Sequence, residues 1–423
     1  MLAINPKLFV SAVYISALSG ILANTSTGDS AQGADEGSHC QATPTFARQL
    51  SLITVVAAPV ANPESTSSFA MPVTALGYNP QVDAQSRSMR EAQADISIRG
   101  GTFENTGFSL GATPLYDPQT GHYSAEIPVA PSMLLPARIE SGATSAQSGW
   151  NATAGNISYG WQPITPGGDI SLGGGNDSLL SSSMHAGFLL ADPVFGQRVA
   201  FDFAVAHSQD SGPVDMSDHA FSRYNFRLQL QGDDSQTDLF AGYQTKDFSW
   251  PNLYAGRNPG GPWREEWEYL KTQLYALNHR QSIGENGDFF QIGAYHRIHQ
   301  GNYSIPVYNY NARHKTHVTG TAIEGKHTLL VTPDDYGTAL RYRAGTVADT
   351  LASSELVYGH YSSRTQYYAG LYVDQTIPLA KNQDILLTTG LTYDGSNRAE
   401  SGYSPVAGIR WRNHHPSAFL SSI

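Results

Sequence analysis

The feature that most constrains the fold is a two-residue alternation of apolar and polar side chains, which recurs from Gly167 onward. The clearest segments read VAFDFAVA at 199–206, YNFRLQLQ at 224–231 and DLFAGYQ at 238–244, and weaker ones follow as far as Trp411. Because successive side chains of a β-strand point to opposite faces, each segment predicts a strand with one apolar and one polar face. About a dozen such segments, joined by turns, predict an antiparallel sheet.

Two kinds of β-protein fit this alternation. Segments of ~10 residues with one apolar face are typical of a membrane β-barrel. A soluble β-sandwich with one solvated side gives the same pattern. The apolar positions are rich in Phe, Tyr and Leu, while the opposite positions carry Arg, Gln and Asp, as a hydrated or filled barrel interior requires. The mean hydropathy of -0.30 does not decide the question, because half the residues of a barrel strand are polar.

The charge and cysteine content exclude some classes of partner and framework. The formal net charge of -11 argues against nucleic acid or an anionic lipid surface as partner. The chain has a single cysteine, Cys40, so it has no intramolecular disulfide.

The first 60 residues suggest export. Residues 1–23 predict a signal peptide, with Lys7 before the apolar run LFVSAVYI at 8–15, although a short buried helix is the alternative. Residues 24–60 predict a flexible segment that contains an apolar, β-prone strip, LITVVAA, at 52–58. Such a strip is suited to adding itself as a strand to a partner's sheet, although it could also be an ordinary first strand.

The stretch from Ala92 to Gly160 carries four short motifs in a fixed order. They are DISIRGG at 95–101, YDPQTGHY at 116–123, ARIES at 137–141 and GNISY at 155–159. This order resembles the plug domain of TonB-dependent outer-membrane receptors. The resemblance implies a mostly β fold, with a small α+β plug domain at 61–165 and an antiparallel transmembrane β-barrel over 166–423. It also implies that the strip is a TonB box, in which Ile53, Thr54, Val55, Val56 and Ala57 pair with the energising protein TonB.

The same resemblance assigns roles to two groups of residues. Arg99, Arg138 and Glu140 would form a buried charge network that ties the plug to the barrel wall; the alternative is a surface arginine on a turn. The second group would face the ligand, or simply build a rigid turn at its plug positions. It comprises Asp117, Gln119, Thr120, His122 and Tyr123 of the plug apex, with Trp250, Tyr254 and Trp263 of the loops.

The barrel is expected to be incomplete. Plugged transporters close with ~22 strands of ~9–11 residues each. The segment after the plug has room for about half that number once turns are included. It ends in Ser421-Ser422-Ile423, whereas barrels of this kind usually end in an aromatic residue. The sequence therefore suggests a signal peptide, a TonB box, a plug and roughly the first half of a barrel.

Motifs of enzymes and metal sites are missing from the sequence. It contains no His-Glu-x-x-His helix, nucleophile elbow or phosphate loop, so no catalytic residue, metal ligand or cofactor is assigned. The favoured hypothesis is an outer-membrane receptor for a scarce large nutrient such as a siderophore, cobalamin or glycan. The alternative is a non-transporting exported β-rich protein that binds at the cell surface, and an exported β-sandwich hydrolase has the least support.

Overall fold

The computed structural model describes residues 67–413, apart from residues 88, 90, 149–151, 195, 257–260, 285, 333–336, 357–361 and 381. The predicted signal peptide at 1–23, the segment at 24–60 and the strip at 52–58, with its Ile53, Thr54, Val55, Val56 and Ala57, lie outside the described residues. Within the described part of the chain, no helix is long and apolar enough to cross a membrane.

The described residues form eighteen strands and six short 3₁₀ turns. The strands are β1 (Val82–Arg87), β2 (Gln93–Ile98), β3 (Thr106–Leu110), β4 (Thr113–Leu115), β5 (Arg138–Glu140), β6 (Gly155–Tyr159), β7 (Gly167–Gly174), β8 (Leu180–Leu189), β9 (Arg198–Asp210), β10 (His219–Gln231), β11 (Ser235–Ser249), β12 (Trp267–Ile283), β13 (Asp288–Ile305), β14 (Tyr310–Val331), β15 (Gly337–Ser353), β16 (Ser363–Ala380), β17 (Gln383–Ser396) and β18 (Gly402–Asn413). The 3₁₀ turns are Thr74–Tyr78, Phe103–Asn105, Gly121–Tyr123, Pro131–Met133, Gly142–Gln147 and Pro306–Tyr308.

Strands β1 to β6 lie in the segment that the motifs predict to be a plug, and "the plug" below means the described residues of 67–165. β1 and β2 form an antiparallel hairpin, and a four-stranded sheet has the order β4-β3-β6-β5, in which β3 and β6 run parallel. Its core includes Ile96, Phe108 and Ile157, all buried. The helical part of the expected α+β plug consists of 3₁₀ turns in the described residues. Burial raises the pKa of Tyr159, so its protonated hydroxyl donates to the carbonyl of Pro72 at 3.0 Å.

Strands β7 to β18 form one antiparallel wall in which neighbours in sequence are neighbours in space. The twelve strands agree with the dozen alternating segments of the sequence. Among the described residues, β7 and β18 each pair on one side only, so the wall matches part of a β-barrel. Connections such as 232–234 and 284–287 are short at one end of the wall, while 250–266 at the other end is long.

The two faces of the wall carry side chains of opposite character. On β10 the inward Arg227 and Gln229 are 1% and 0% exposed, whereas the outward Phe226 is 52% exposed. On β11 the inward Asp238 is 0% exposed and the outward Leu239 is 44% exposed. Along β9 to β16 the plug covers the inner face, so most polar positions of the alternation are buried and the apolar ones lie on the outer face. The strands β7 and β18 are largely exposed on both faces.

Candidate functional site

One polar contact between plug and wall is centred on Arg227 of β10. Its guanidinium makes a two-pronged contact with Asp202 of β9, at 3.0 and 2.7 Å, so the pair is fixed in orientation. The remaining nitrogen donates to two plug carbonyls, Met133 O at 3.2 Å and Gln162 O at 2.8 Å. Trp161 of the plug lies 5.5 Å from the guanidinium, within cation–π range. One buried cation thus ties two wall strands to two separate segments of the plug.

A second buried pair joins the plug residue Glu126 to β11. Lys246 Nζ lies 2.8 Å from Glu126 Oε1, and Gln244 donates to the other carboxylate oxygen at 3.2 Å. Lys246 also donates to the carbonyl of Ala92 at 3.1 Å. Both charged groups are buried, so each depends on the other for compensation.

The apex of the plug is held by a third buried pair. Arg297 of β13 lies 2.5 Å from Asp117 and also donates to the carbonyl of Tyr123 at 2.8 Å. The Tyr123 hydroxyl donates to Glu268 of β12. Burial, followed by the charge of Glu268, raises the pKa of Tyr123 well above its usual value, so the phenol stays protonated as a donor.

The wall also binds plug backbone through uncharged and cationic side chains. Asn225 donates to Pro128 O at 2.7 Å and accepts from Ala130 N at 2.8 Å, as a neighbouring strand would. Arg343 donates to Ala112 O at 2.9 Å. Position 111, at φ +57°, accepts only glycine, because a Cβ there would lie 2.1 Å from Asn278 Oδ1. The plug therefore fits the inner face closely at this point.

Arg99, Arg138 and Glu140 do not form the predicted buried charge network. The buried ion pairs of the structure lie at other residues. Arg99 is exposed and its side chain contacts Ser141 of the plug itself, at 3.4 Å. Arg138 is also exposed. Glu140 accepts from Ser148 at 2.8 Å and from Asn156 at 3.2 Å, both in the plug.

Two of these three residues still lie near the wall. Arg138 and Glu140 are within electrostatic range of Glu324 on β14. Arg99 departs from the expectation because its φ of +52° turns the chain at the end of β2 and carries its side chain to the surface. The buried charges where the wall meets the plug include Arg227, Lys246 and Arg297, with their carboxylates.

The predicted ligand-facing residues fall into two groups. Asp117, Tyr123 and Trp250 are buried in structural contacts, so their side chains do not face open space. The partly exposed members are Gln119, Thr120, His122, Tyr254 and Trp263. Of these, Thr120 caps the Gly121–Tyr123 turn, and His122 lies 2.5 Å from Asp95 while stacking on Phe103. The accessible part of the apex is therefore a polar surface, and its role toward a ligand stays a prediction.

The long loop between β11 and β12 is organised around a buried carboxylate, Glu266. One oxygen accepts from the backbone N–H groups of Tyr254 and Ala255, each at 2.7 Å. The other accepts from Trp250 Nε1 at 3.2 Å and from the Tyr303 hydroxyl at 2.9 Å. Four donors on one fully buried side chain fix the loop against β13.

The loop presents aromatic side chains outward from this fixed base. Tyr254 is 51% and Trp263 is 42% exposed, and Tyr308 of the β13–β14 connection reaches Ala255 O at 2.9 Å. Glu266 stands two residues before Glu268, which holds Tyr123. The start of β12 thus anchors both the loop and the plug apex.

Sequence reasoning did not single out the residues that hold the plug. Arg227, Lys246 and Arg297 are inward members of alternating strands, so polarity on the inner face was the available signal. Which of them would be paired with plug atoms depends on strand register, and the alternation alone does not give it. Among the described residues, no group of three His, Cys, Asp or Glu side chains is placed to hold a metal ion.

A plug seated on the polar face of an antiparallel wall with an apolar outer face is the architecture of plugged outer-membrane receptors. Three solved structures share it with this chain. They are a copper transporter, OprC (TM-score 0.63, 13% identity, 84% of this chain and 60% of that one), the siderophore receptor PirA from Acinetobacter baumannii (0.55, 14%, 78% and 55%) and the alcaligin outer-membrane receptor FauA from Bordetella pertussis (0.54, 10%, 80% and 54%).

The fold is therefore that of TonB-dependent outer-membrane receptors, as the plug motifs suggested. At these identities the likeness concerns the fold, and the chain spans about 54–60% of the length of the three structures. These neighbours are receptors and transporters rather than enzymes. No family model and no curated protein matches the sequence.

Proposed function

We propose that this chain provides the plug and part of the barrel wall of a TonB-dependent outer-membrane receptor. In this proposal residues 61–165 form the plug, residues 166–423 belong to the wall, and the receptor captures a scarce large nutrient such as a siderophore, cobalamin or glycan. The observation that carries it is the distribution of side chains on the wall, whose polar face is buried and whose apolar face is exposed. Arg227 is buried, for example, while Phe226, its neighbour in sequence, is exposed. Such a distribution is stable where the outer face meets lipid rather than water.

Ligand capture is assigned to the end of the wall that carries the long loop. Rigid aromatic side chains beside polar groups suit the recognition of a bulky, partly polar ligand. Tyr254 and Trp263 of the loop and Gln119, Thr120 and His122 of the apex supply such groups. Among the structural neighbours, PirA is named a siderophore receptor and OprC a copper transporter, which supports a metal chelate within the broader class of nutrients.

The proposed mechanism is binding followed by mechanical release, with no bond made or broken in the ligand. The strip with Ile53, Thr54, Val55, Val56 and Ala57 would add as a strand to the TonB-type energising protein. A pull on it would reach the plug, which the wall holds mainly through the buried pairs at Glu126 and Asp117. These pairs resist displacement until force is applied, because separating them leaves charges uncompensated.

A membrane-retention experiment tests the assignment of the outer face. Replacing Phe226 and Leu277 together by lysine (F226K/L277K) puts two charges where lipid is expected, and each costs about 2–4 kcal/mol near the bilayer midplane. We expect the unaltered chain in the outer-membrane fraction after alkaline washing, and the variant lost from it. The matched control T245K/T350K adds the same charges to polar outward positions and should be retained. An unaltered chain that is soluble, with F226K/L277K equally soluble, favours an exported surface-binding protein instead.

Deleting residues 52–58 tests the assigned TonB box. We expect an immobilised periplasmic domain of TonB to capture the detergent-solubilised full chain and to lose it completely on this deletion, because the strand-adding strip is gone. Deletion of 42–48 removes the same length of chain upstream and should leave capture intact. Equal capture of both deletion variants would remove the box assignment while leaving the plug and the wall unaffected.

A further inference from the structure

Three cationic side chains cluster on the outer face of the wall, toward the end with the long loop. Lys271 of β12 pairs in register with Gln300 of β13, which pairs with Lys315 of β14. With neighbouring strands about 4.8 Å apart, the backbones of the two lysines lie about 10 Å apart. Arg313 occupies the next outward position on β14, about 7 Å from Lys315 along the strand. We call Lys271, Arg313 and Lys315 the outer basic patch.

The outer basic patch is not neutralised by the protein. Among the ion pairs of the described residues, none involves any of the three cations. Arg313 donates to Asn311 at 3.1 Å, and Lys271 lies 5.6 Å over the ring of Tyr243. Two acidic residues, Asp247 and Glu355, flank the patch without pairing with it. Three cations therefore remain available to an external anion.

A groove runs through the patch. It has a volume of about 670 Å³, and Tyr269, Gln300, Asn302, Arg313 and Lys315 line it. Asn302 Oδ1 is buried there without a hydrogen-bond partner. The groove offers cationic and neutral polar groups together, which is the combination that binds a phosphate or a sugar phosphate.

The patch borders the apolar part of the outer face. On β12 the outward positions that follow Lys271 lead to Tyr275 and Leu277, which are 48% and 42% exposed. Tyr269 lines the groove and Tyr243 lies under Lys271, so tyrosines occur at the same level. Tyrosine beside apolar surface marks the boundary between lipid tails and headgroups in membrane barrels.

We propose that the outer basic patch binds the phosphorylated headgroup of a membrane lipid whose acyl chains lie along the neighbouring apolar strands. Charge complementarity selects the headgroup, and the adjoining apolar surface selects an amphiphile over a soluble phosphate. This proposal depends on the membrane location proposed above. The net charge of -11 opposes an anionic surface overall, but the interaction is local, since charges beyond about 8–10 Å are largely screened at physiological salt.

Lipid binding by the full chain in a neutral detergent tests the binding site independently of whether the chain lies in a membrane. The probe is diphosphoryl lipid A, measured by native mass spectrometry, with phosphatidylcholine and glucose 1,6-bisphosphate as reference compounds. We expect K271Q/R313Q/K315Q to bind the probe about 100-fold more weakly, from the typical contribution of each surface Lys or Arg to anionic lipid binding. The control R198Q/K326Q/R398Q removes three cations elsewhere and should bind as the unaltered chain does.

Each other outcome overturns a defined part of the proposal. Unchanged probe binding in K271Q/R313Q/K315Q, with circular dichroism matching the unaltered chain, removes the patch. Equal binding of phosphatidylcholine removes the role of charge, and equal binding of glucose 1,6-bisphosphate removes the lipid in favour of a soluble phosphate. If the membrane-retention experiment shows the unaltered chain to be soluble while the patch still binds the probe, the proposed membrane location fails and the binding site stands.

Discussion

Replacing Arg227 by methionine is expected to lower the free energy of unfolding by about 3–5 kcal/mol, because it leaves a buried carboxylate without its main partner. Asp202 would keep only His185, at 3.1 Å, and the carbonyls of Met133 and Gln162 would lose a donor. The plug should also dock less firmly, since the same guanidinium holds two of its segments. Guanidinium unfolding followed by tryptophan fluorescence measures both effects, because Trp161 lies beside Arg227.

Two further variants distinguish loss of the Arg227–Asp202 pair from a general destabilisation by mutation. R198M changes an exposed arginine on the adjoining strand and should cost under about 0.5 kcal/mol. R227M/D202L removes both members of the two-pronged pair and should be less destabilised than R227M. The carboxylate that still loses the guanidinium is Asp238, which keeps its bonds from Gln229 and Gln236. If R227M unfolds at the same denaturant concentration as R198M, the Arg227 contact is not what secures the plug.

Replacing Glu266 by glutamine is expected to open the long loop while leaving the rest of the wall folded. In the variant, the NH₂ group of the glutamine amide faces the Trp250 and Tyr303 donors. The Tyr303 hydroxyl can rotate and accept a hydrogen bond from it, but Trp250 Nε1 can only donate and loses its partner. One orphaned donor and the loss of charge-assisted bonds together cost about 3 kcal/mol. The open population should therefore rise roughly 100-fold, and so should the rate of tryptic cleavage after Arg257 and Arg264.

The neighbouring residue supplies the matched control for this experiment. Glu265 is exposed, so E265Q removes the same charge from the same loop without touching the four donors and should be cleaved at the original rate. A ligand found for this chain should bind E266Q more weakly than E265Q, because Tyr254 and Trp263 would no longer be held in place. Equal cleavage rates for the two variants would show that the loop does not depend on Glu266.

The sequence predicts those features of the fold that depend on residues close together in the chain. Strand faces are local, so the alternation at 199–206 and 224–231 predicted which residues point inward, and the structure agrees. Motif order predicted the plug. Docking is not local: Arg297 meets Asp117 across 180 residues of sequence, and no pattern along the chain encodes that distance.

The candidate site was predicted less well than the fold for the same reason. Asp117 and Tyr123 belong to the most recognisable motif of the plug, and they were expected to face a ligand. They instead meet Arg297 and Glu268, whose positions depend on the register of β12 and β13. Trp250 was expected to be a loop aromatic open to ligand, but the carboxylate of Glu266 holds its indole inside the loop. Tyr254 and Trp263 are exposed, and their role toward a ligand stays a prediction.

Many of the hydrogen bonds that hold the plug run from wall side chains to main-chain carbonyls, which every residue type possesses. Arg223 reaches Ala70 O, Asn225 reaches Pro128 O, and Lys246 reaches Ala92 O. Substitutions at those three plug positions leave the accepting oxygen in place. A substitution that fits the space at such points therefore keeps its acceptor, whereas the wall residues that donate have no equivalent latitude.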